Sequence, residues 1–370
     1  MKIGIDVRLW NQTGIGRYIR NLVTQLSTLD SKNEYVLFAQ SDDAGEIKSS
    51  VSSKNFTVIK TDIKWHSVSE QIAFPRQLNK YNLDLMHFPY FSVPVFYKKP
   101  YVVTVHDLII NHFSTGKATT LPLPLYKLKR VGYKFILKKA ISDAKKVIVP
   151  SLATKIEILS SYNQDVKKDN IVVTPEGVDD SISDFSPLVF KKDARYFLYV
   201  GNAYPHKNLE KLTQAFNFFS ELHPEYKLYL AGNKDFFYKK LLAENKNKNI
   251  EFLGFVKDDE LSKLYKQAEA TFVPSLMEGF GLTTLEAMKM GSLVAASDIP
   301  SLKEVCTQNA FYFNPKDAIS IKRIMEEIIT ISDADKKKRI SEARKHAESF
   351  SWEKTAQLTL EVYQACLHNK

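Results

Sequence analysis

Cysteine is nearly absent: the 370 residues hold two, Cys306 and Cys366. Two thiols cannot build a disulfide framework, which points to reduced thiols in a cytosol. Long apolar runs are missing as well, and none approaches the ~20 residues that a membrane-spanning helix needs. The N-terminus, Met-Lys-Ile-Gly-Ile-Asp, goes straight into a strand, without the basic and then apolar stretch of a signal peptide. Low-complexity tracts and short-period repeats are also lacking. These absences make a cytoplasmic protein the expectation and leave peripheral attachment to the inner face of a membrane open.

What is present is an ordinary globular composition, with 44% hydrophobic and 25% charged residues, so wholesale disorder is excluded. The length suggests two domains and is ample for a large core. There are 52 lysines and arginines against 42 aspartates and glutamates, a net charge of +10. Residues 1–180 hold 25 basic and 17 acidic side chains and therefore carry +8 of it. Nucleic acid, an anionic membrane surface, a phosphorylated small molecule or a solvated lysine-rich surface would each account for the excess.

Short β-branched runs alternate with longer amphipathic stretches. In the first half the runs are Lys2–Val7, Tyr35–Ala39, Phe56–Ile59, Leu85–Phe88, Val102–Val105, Val147–Val149 and Ile171–Thr174. The pattern restarts near residue 195 with Tyr196–Val200, Leu228–Ala231, Ile250–Leu253, Thr271–Val273 and Leu293–Ala296. Each run of this second series ends at a Gly, Pro or Ser turn, as the carboxyl end of a parallel strand does. The reading is α/β throughout: two doubly wound parallel-sheet domains, residues 1–180 and 193–350, joined by a Ser/Asp-rich linker at Asp179–Lys192. A last helix at 351–370, with Ser351 as its N-cap, is able to pack on either domain. In such sheets ligands bind beyond the carboxyl ends of the strands, so the cleft between the two domains is the expected site.

The strongest chemical signal is Pro274-Ser-Leu-Met-Glu-Gly-Phe-Gly-Leu-Thr-Thr-Leu-Glu-Ala287, which follows a strand and opens a helix. Two glycines flank an aromatic in the turn, so backbone amides can come close to a ligand. The helix that follows points free N–H groups and the positive end of its dipole into the same space, which suits a diphosphate. Glu286, about one turn in, is badly placed for phosphate but well placed to accept hydrogen bonds from a ribose diol. Glu278, before the turn, can accept from sugar hydroxyls or stabilise positive charge on a sugar carbon.

Glu278 and Glu286, separated by seven intervening residues and set in a Pro-Ser-x-x-Glu-Gly-Phe-Gly context, resemble the E-x7-E motif of retaining glycosyltransferases, specifically family 4 of the GT-B fold. Further landmarks of that family occur in order along nearly the whole chain. Gly14-Ile-Gly16-Arg17-Tyr18 is similar to the glycine loop after the first strand, where the backbone approaches the diphosphate or the acceptor. Val103-Thr-Val-His106-Asp107 is similar to the segment whose histidine lies near the donor sugar, its ring hydrogen-bonding a sugar hydroxyl or the acceptor. Lys207, in Pro205-His-Lys-Asn208, matches the lysine that neutralises the leaving diphosphate, and Gly254-Phe-Val256 the segment whose backbone holds the nucleobase. Pro150-Ser151 and Pro175-Glu-Gly-Val-Asp179 also match.

The resemblance therefore implies a GT-B fold and a retaining, metal-independent hexosyltransferase with no cofactor beyond its nucleotide-sugar co-substrate. It implies His106, Lys207 and Glu278 as catalytic. It assigns Gly14, Gly16, Arg17, Asn202, Val256, Phe280, Gly281, Leu282, Thr283 and Glu286 to the donor. The chain departs from the family pattern at Asn202 and His206, where arginines are usual, and at Glu176, where asparagine is usual. Lys207 and the helix N-termini would then carry more of the phosphate charge, with Arg17 as a further contributor. Asp333-Ala-Asp335 has the spacing of a metal-binding Asp-x-Asp, but no strand precedes it, and a solvated helix start explains it.

Residues Lys127–Lys146 hold eight Lys or Arg against one acid, Asp143. Leu128, Val131, Phe135 and Ile136 recur at helical spacing, and Lys127, Arg130, Lys134 and Lys138 share another side, behind an apolar lead-in at Leu121–Tyr126. A basic amphipathic helix of this kind can sit on an anionic membrane, which would suit a lipid-linked acceptor. It can equally be a domain helix whose apolar side covers the sheet. With Asp107 these basic residues form the expected acceptor or membrane side.

Three functions can be set against these features. The first is hexosyl transfer to a glycan or lipid-linked glycan in polysaccharide assembly; GDP-mannose is slightly favoured as donor and UDP-glucose is the alternative. The second is a basic nucleic-acid-binding protein, against which stands the lack of any helix-turn-helix, zinc or RNA-binding signature. The third is a nicotinamide oxidoreductase, which fails because Ile19 stands where the third glycine of Gly-x-Gly-x-x-Gly is required.

Overall fold

The computed structural model describes residues 1–51, 53–113, 122–178 and 195–366. The expected linker, Asp179–Lys192, lies outside the described residues. The chain forms two compact units. One holds the first seven strands together with the C-terminal helix Trp352–Ala365; the other holds the remaining six strands.

In the first unit the strands are β1 (Lys2–Asp6), β2 (Glu34–Ala39), β3 (Phe56–Lys60), β4 (Leu85–Phe88), β5 (Tyr101–Thr104), β6 (Lys146–Val149) and β7 (Ile171–Val173). All pair in parallel, in the order β3-β2-β1-β4-β5-β6-β7. The central strands read as continuous apolar runs because the sheet is covered on both faces, and every residue of β4 and β5 is buried. The C-terminal helix packs on the helix Thr13–Leu29 and is N-capped by Ser351, whose hydroxyl accepts from the Lys354 amide at 3.2 Å.

In the second unit β8 (Arg195–Val200), β9 (Tyr226–Ala231), β10 (Ile250–Gly254), β11 (Ala270–Val273), β12 (Val294–Ser297) and β13 (Phe311–Phe313) pair in parallel, in the order β10-β9-β8-β11-β12-β13. Alternate side chains of β8 divide between two cores. Phe197 and Tyr199 join the helices Leu209–Ser220 and Ala318–Thr330, while Tyr196 and Leu198 face Asp258–Gln267 and Leu282–Lys289. Strand β13 was not anticipated from the sequence. It is a three-residue edge strand, too short for periodicity to signal.

Both doubly wound parallel sheets expected from the sequence are therefore present. In each, the first strand has partners drawn from the two halves of the winding order. The carboxyl ends of β1 and β4, and those of β8 and β11, are the two switch points where such a sheet opens a crevice for ligands.

Candidate active site

At the switch point of the second sheet, β8 ends in Gly201 with φ +148°, which a side chain would rarely adopt. Gly232 follows β9, and a Cβ there would overlap the Gly201 carbonyl oxygen. Gly254 closes β10 with φ +73°, and its amide donates to the Tyr238 hydroxyl at 2.8 Å. Three strand ends are thus bare backbone. Asn202 comes next, half-buried, its carbonyl accepting from the Tyr199 hydroxyl at 2.6 Å.

The chain then makes one 3-10 turn, Pro205–Lys207, and passes through the left-handed conformation at Asn208 (φ +59°) before the helix Leu209–Ser220. Asn208 locks this turn to its neighbours: its amide donates to the carbonyls of Pro274 (3.0 Å) and Pro315 (2.7 Å). The Leu276 amide donates to the His206 carbonyl at 2.7 Å. The loops after β8 and β11 are stitched together, which brings Lys207 against Glu278.

Lys207 Nζ lies 2.7 Å from Glu278 Oε1, with the two side chains 21% and 12% exposed. The Ser275 hydroxyl donates to the same oxygen at 2.6 Å. Burial alone would raise the Glu278 carboxyl, but the Lys207 charge, with hydrogen bonds from Lys207 and Ser275, holds it below the ordinary range, so it is ionised at neutral pH. His206 is buried and pushed down to about 4 by desolvation and by Lys207, so its ring is neutral, and Nδ1 is buried without a hydrogen-bond partner.

Gly281 (φ +108°) precedes the helix Leu282–Lys289. A Cβ at this position would press on Leu302. Leu282 and Thr283 open the helix half-buried. Glu286 is buried and accepts from the Tyr265 hydroxyl at 3.2 Å. Val256 is half-buried against the core beside the exposed Phe255. The Phe280 ring is buried in the core, edge-on to Phe350 at 5.9 Å, so of this residue the backbone is what is left for a ligand.

The remaining candidates belong to the first unit. Gly14 and Gly16 sit in the first turn of the helix Thr13–Leu29 rather than in a loop before it. Gly14 has open space at its Cβ position, whereas a Cβ at Gly16 would overlap the Trp10 carbonyl. The second glycine is therefore consumed by the fold's own packing. Arg17 is half-buried one residue further on. Asp107 accepts from the Ile109 amide at 2.9 Å and so opens the short helix Ile109–His112.

His106 lies just beyond β5. Its Nδ1 is 2.9 Å from Glu176 and its Nε2 3.0 Å from the Pro89 carbonyl. The expected hydrogen bond from this ring to a sugar has no free nitrogen to make it, because both are taken by the protein.

Sequence reading missed a buried network at the end of β1. Arg8 donates to Asp6 (2.8 and 2.7 Å), to Glu70 (2.6 Å) and to the Ile63 carbonyl (2.9 Å), with its guanidinium 3.8 Å above the Phe74 ring. Glu70 also accepts from the His66 amide and the Ser92 hydroxyl. The available signal was an arginine and an aspartate at the tip of a strand, where a charged pair has no reason to be buried unless it is shared.

The basic segment forms the helix Leu123–Asp143, but its faces are the reverse of a sheet-covering helix. Leu137, Ala140 and Ile141 are the buried positions, while Leu128 (68%), Val131 (65%) and Phe135 (57%) stand exposed and Ile136 is half-buried. Lys127 is exposed among them. Arg130 and Lys134 reach the Asn111 carbonyl, and Lys138 pairs with Asp165 at 3.1 Å. Asp333 and Asp335 occupy the first turn of the helix Asp333–Ala347, where Ser332 caps the Asp335 amide.

The fold is that of GT-B proteins. Sucrose-phosphate synthase from Thermosynechococcus elongatus superposes with a TM-score of 0.77 at 19% identity, over the whole of both chains. The Anabaena HepE protein, solved with UDP and glucose, gives 0.73 at 18% identity, over 99% of this chain and all of that one. The Glycosyltransferase Family 4 model matches residues 12–182 and the Glycosyl transferases group 1 model residues 180–347. Between them they take in nearly the whole chain, and the chain belongs to glycosyltransferase family 4. It is 28% identical to the O-antigen chain mannosyltransferase RfbU of Salmonella typhimurium, over 77% of this chain and 76% of that one. It is also 28% identical to O-antigen chain mannosyltransferase B of Escherichia coli, over 95% and 96%.

The Lys207–Glu278 pair has a pH signature. A carboxylate held below its ordinary value adds stability at higher pH that is lost as pH falls through the lowered folded value. Glu278→Gln should therefore lower stability at pH 7 by about 2 kcal/mol, because it leaves the ammonium of Lys207 without its counter-charge. The difference from wild type in thermal unfolding should shrink below about pH 4.5. A gap that stays constant or widens on acidification contradicts the assignment.

Proposed function

We propose that this glycosyltransferase is a retaining, metal-independent hexosyltransferase that moves mannose from GDP-mannose to a glycan or lipid-linked glycan during polysaccharide assembly. The observation that carries the reading is the Lys207–Glu278 pair, set 2.7 Å apart beside the start of the helix Leu282–Lys289 at the switch point of the second sheet. A nucleotide sugar needs three things there, and each has a candidate. The diphosphate takes the ammonium of Lys207 and the free amides of the helix start. The ribose diol takes Glu286. The developing positive charge on the sugar carbon takes the Glu278 carboxylate.

In the proposed step the acceptor hydroxyl attacks the anomeric carbon from the face that the diphosphate leaves. The carbon–phosphate-oxygen bond breaks as the new glycosidic bond forms, and the departing phosphate oxygen takes the proton of the acceptor. No protein nucleophile is used; the chain contributes positioning and charge. The mannosyl and O-antigen names of the two relatives support the choice of sugar and of a glycan acceptor.

A thermal-shift screen against UDP-, GDP- and ADP-sugars tests the donor. Ligand at a hundred times Kd adds about 2.7 kcal/mol, worth a rise of about 5 °C or more for units of this size. GDP-mannose should give that rise and UDP-glucose should not. A shift with UDP-glucose alone replaces the donor, and no shift with any nucleotide sugar contradicts the reading.

A lipid-linked acceptor also gives the helix Leu123–Asp143 a role, as a peripheral contact with the inner face of a membrane. Its exposed strip of Leu128, Val131 and Phe135 enters the acyl boundary, with Lys127 and Lys138 beside it facing anionic headgroups. Among the described residues no helix is long and apolar enough to cross a membrane. Wild-type protein should co-sediment with phosphatidylglycerol-containing vesicles. The triple variant Leu128→Ser, Val131→Ser, Phe135→Ser should not, while keeping its thermal shift with donor. Absence of wild-type binding, or binding unchanged in the variant, removes the membrane role.

A further inference from the structure

His106 holds a ring that the protein has enclosed. Nδ1 meets a Glu176 oxygen at 2.9 Å and Nε2 meets the Pro89 carbonyl oxygen at 3.0 Å. Neither a carboxylate nor a carbonyl has a proton to give, so both ring nitrogens must carry hydrogen for both bonds to exist. The ring is then an imidazolium. Tyr18 closes a third side, its ring edge-on at 4.8 Å and 82°, and Tyr18 is in turn fixed through its hydroxyl to Thr104 Oγ1 at 3.2 Å.

The geometry spans the carboxyl edge of the first sheet. Pro89 follows β4, His106 follows β5 and Glu176 follows β7, so the ring bridges loops from three strands. Glu176 itself is held rigidly. The preceding Pro175 carbonyl accepts from the Thr355 hydroxyl at 2.7 Å. The following Gly177 lies so close to the start of the C-terminal helix that a Cβ would overlap the Trp352 amide nitrogen. The carboxylate is therefore fixed at both flanks by a helix distant in sequence.

We propose that Glu176 is a positioning residue for glycosyl transfer: it keeps His106 doubly protonated and fixed in orientation, so that His106 meets its ligand as a fixed positive charge and not as a neutral hydrogen-bonding ring. This rests on the transferase reading above. It replaces a ring that binds a sugar hydroxyl through nitrogen with one whose nitrogens are spent on the scaffold. A charge at the carboxyl edge of the first sheet suits a ligand bearing phosphate, and it is switched off when the imidazolium loses its proton.

The charged and titratable groups around His106 agree on the direction. Burial disfavours the charged ring, but Glu176 by hydrogen bond and by charge, the Pro89 carbonyl, and the neighbouring Asp107 together raise it above the ordinary imidazole value. Tyr18 is neutral, its hydroxyl pushed far up by burial. His87, buried nearby and bonded to Tyr363 and Thr104, is pushed down to about 3 by burial and by His106, and is neutral too. A raised folded value means that the pair contributes below the ordinary value and is lost as pH rises through the folded one.

The test is the titration of the histidine Cε1–H NMR signals of the full chain, with His106 assigned by His106→Asn. Its midpoint should lie above 6.5 in wild type, fall in Glu176→Gln and return in Glu176→Asp. In transfer assays Glu176→Gln should lose roughly ten- to a hundredfold in kcat with donor KM unchanged, and its alkaline fall in rate should move to lower pH. A wild-type midpoint at or below 6.5, or a Gln variant whose midpoint and pH profile match wild type, overturns the proposal. A protein without transfer activity whose His106 still titrates high and responds to Glu176 would instead remove only the transferase reading.

Discussion

A lysine and a glutamate that lie 2.7 Å apart and largely out of water each need the other. Left alone, either one would bear the full cost of a half-desolvated charge. The loops that carry Lys207 and Glu278 are therefore tied to one another through Asn208 and the Leu276 amide, and three bare glycine ends, Gly201, Gly232 and Gly254, let the neighbouring backbone close in. Pro205, the left-handed Asn208 and Gly281 at the next helix start all serve this meeting. On the proposed reading an incoming diphosphate competes with Glu278 for the ammonium, and the carboxylate so freed faces the sugar carbon.

The first sheet solves the same problem differently. Its carboxyl edge is built on buried charge networks that are complete in themselves: Asp6–Arg8–Glu70 at the end of β1, and Glu176–His106 at the ends of β5 and β7. Each network satisfies nearly every donor it buries, as low-dielectric surroundings demand. The C-terminal helix belongs to this unit because its residues complete the wiring: Thr355 holds Pro175, Trp352 flanks Gly177, and the Tyr363 hydroxyl meets His87 at 2.6 Å.

The sheets were legible in the sequence because a parallel strand covered on both faces leaves a continuous apolar run, and because each run of the second half ended at a turn residue. Glu278, Lys207 and Glu286 were legible because they sit in one short motif or directly before a helix. The networks were not. Arg8 with Glu70, and His106 with Glu176, are joined only by tertiary structure, and no periodicity reports a contact 62 or 70 residues away. Glu176 stood out solely as a departure from the family pattern. The helix Leu123–Asp143 shows how an apolar face misleads. Leu128, Val131 and Phe135 recur at helical spacing yet stand exposed, and it is Leu137, Ala140 and Ile141 that are buried.

The proposed role of Lys207 is to receive the donor diphosphate. Calorimetric titration of wild type and Lys207→Met with GDP and with GMP, at one salt concentration, tests it most directly. Wild type should bind GDP at least about tenfold more tightly than GMP, since a second phosphate on a half-buried ammonium gains a charge-assisted contact of about 1.5–3 kcal/mol. In Lys207→Met the preference should fall about tenfold, to what the helix-start amides alone supply. A GDP preference undiminished by the loss of Lys207 would contradict that role.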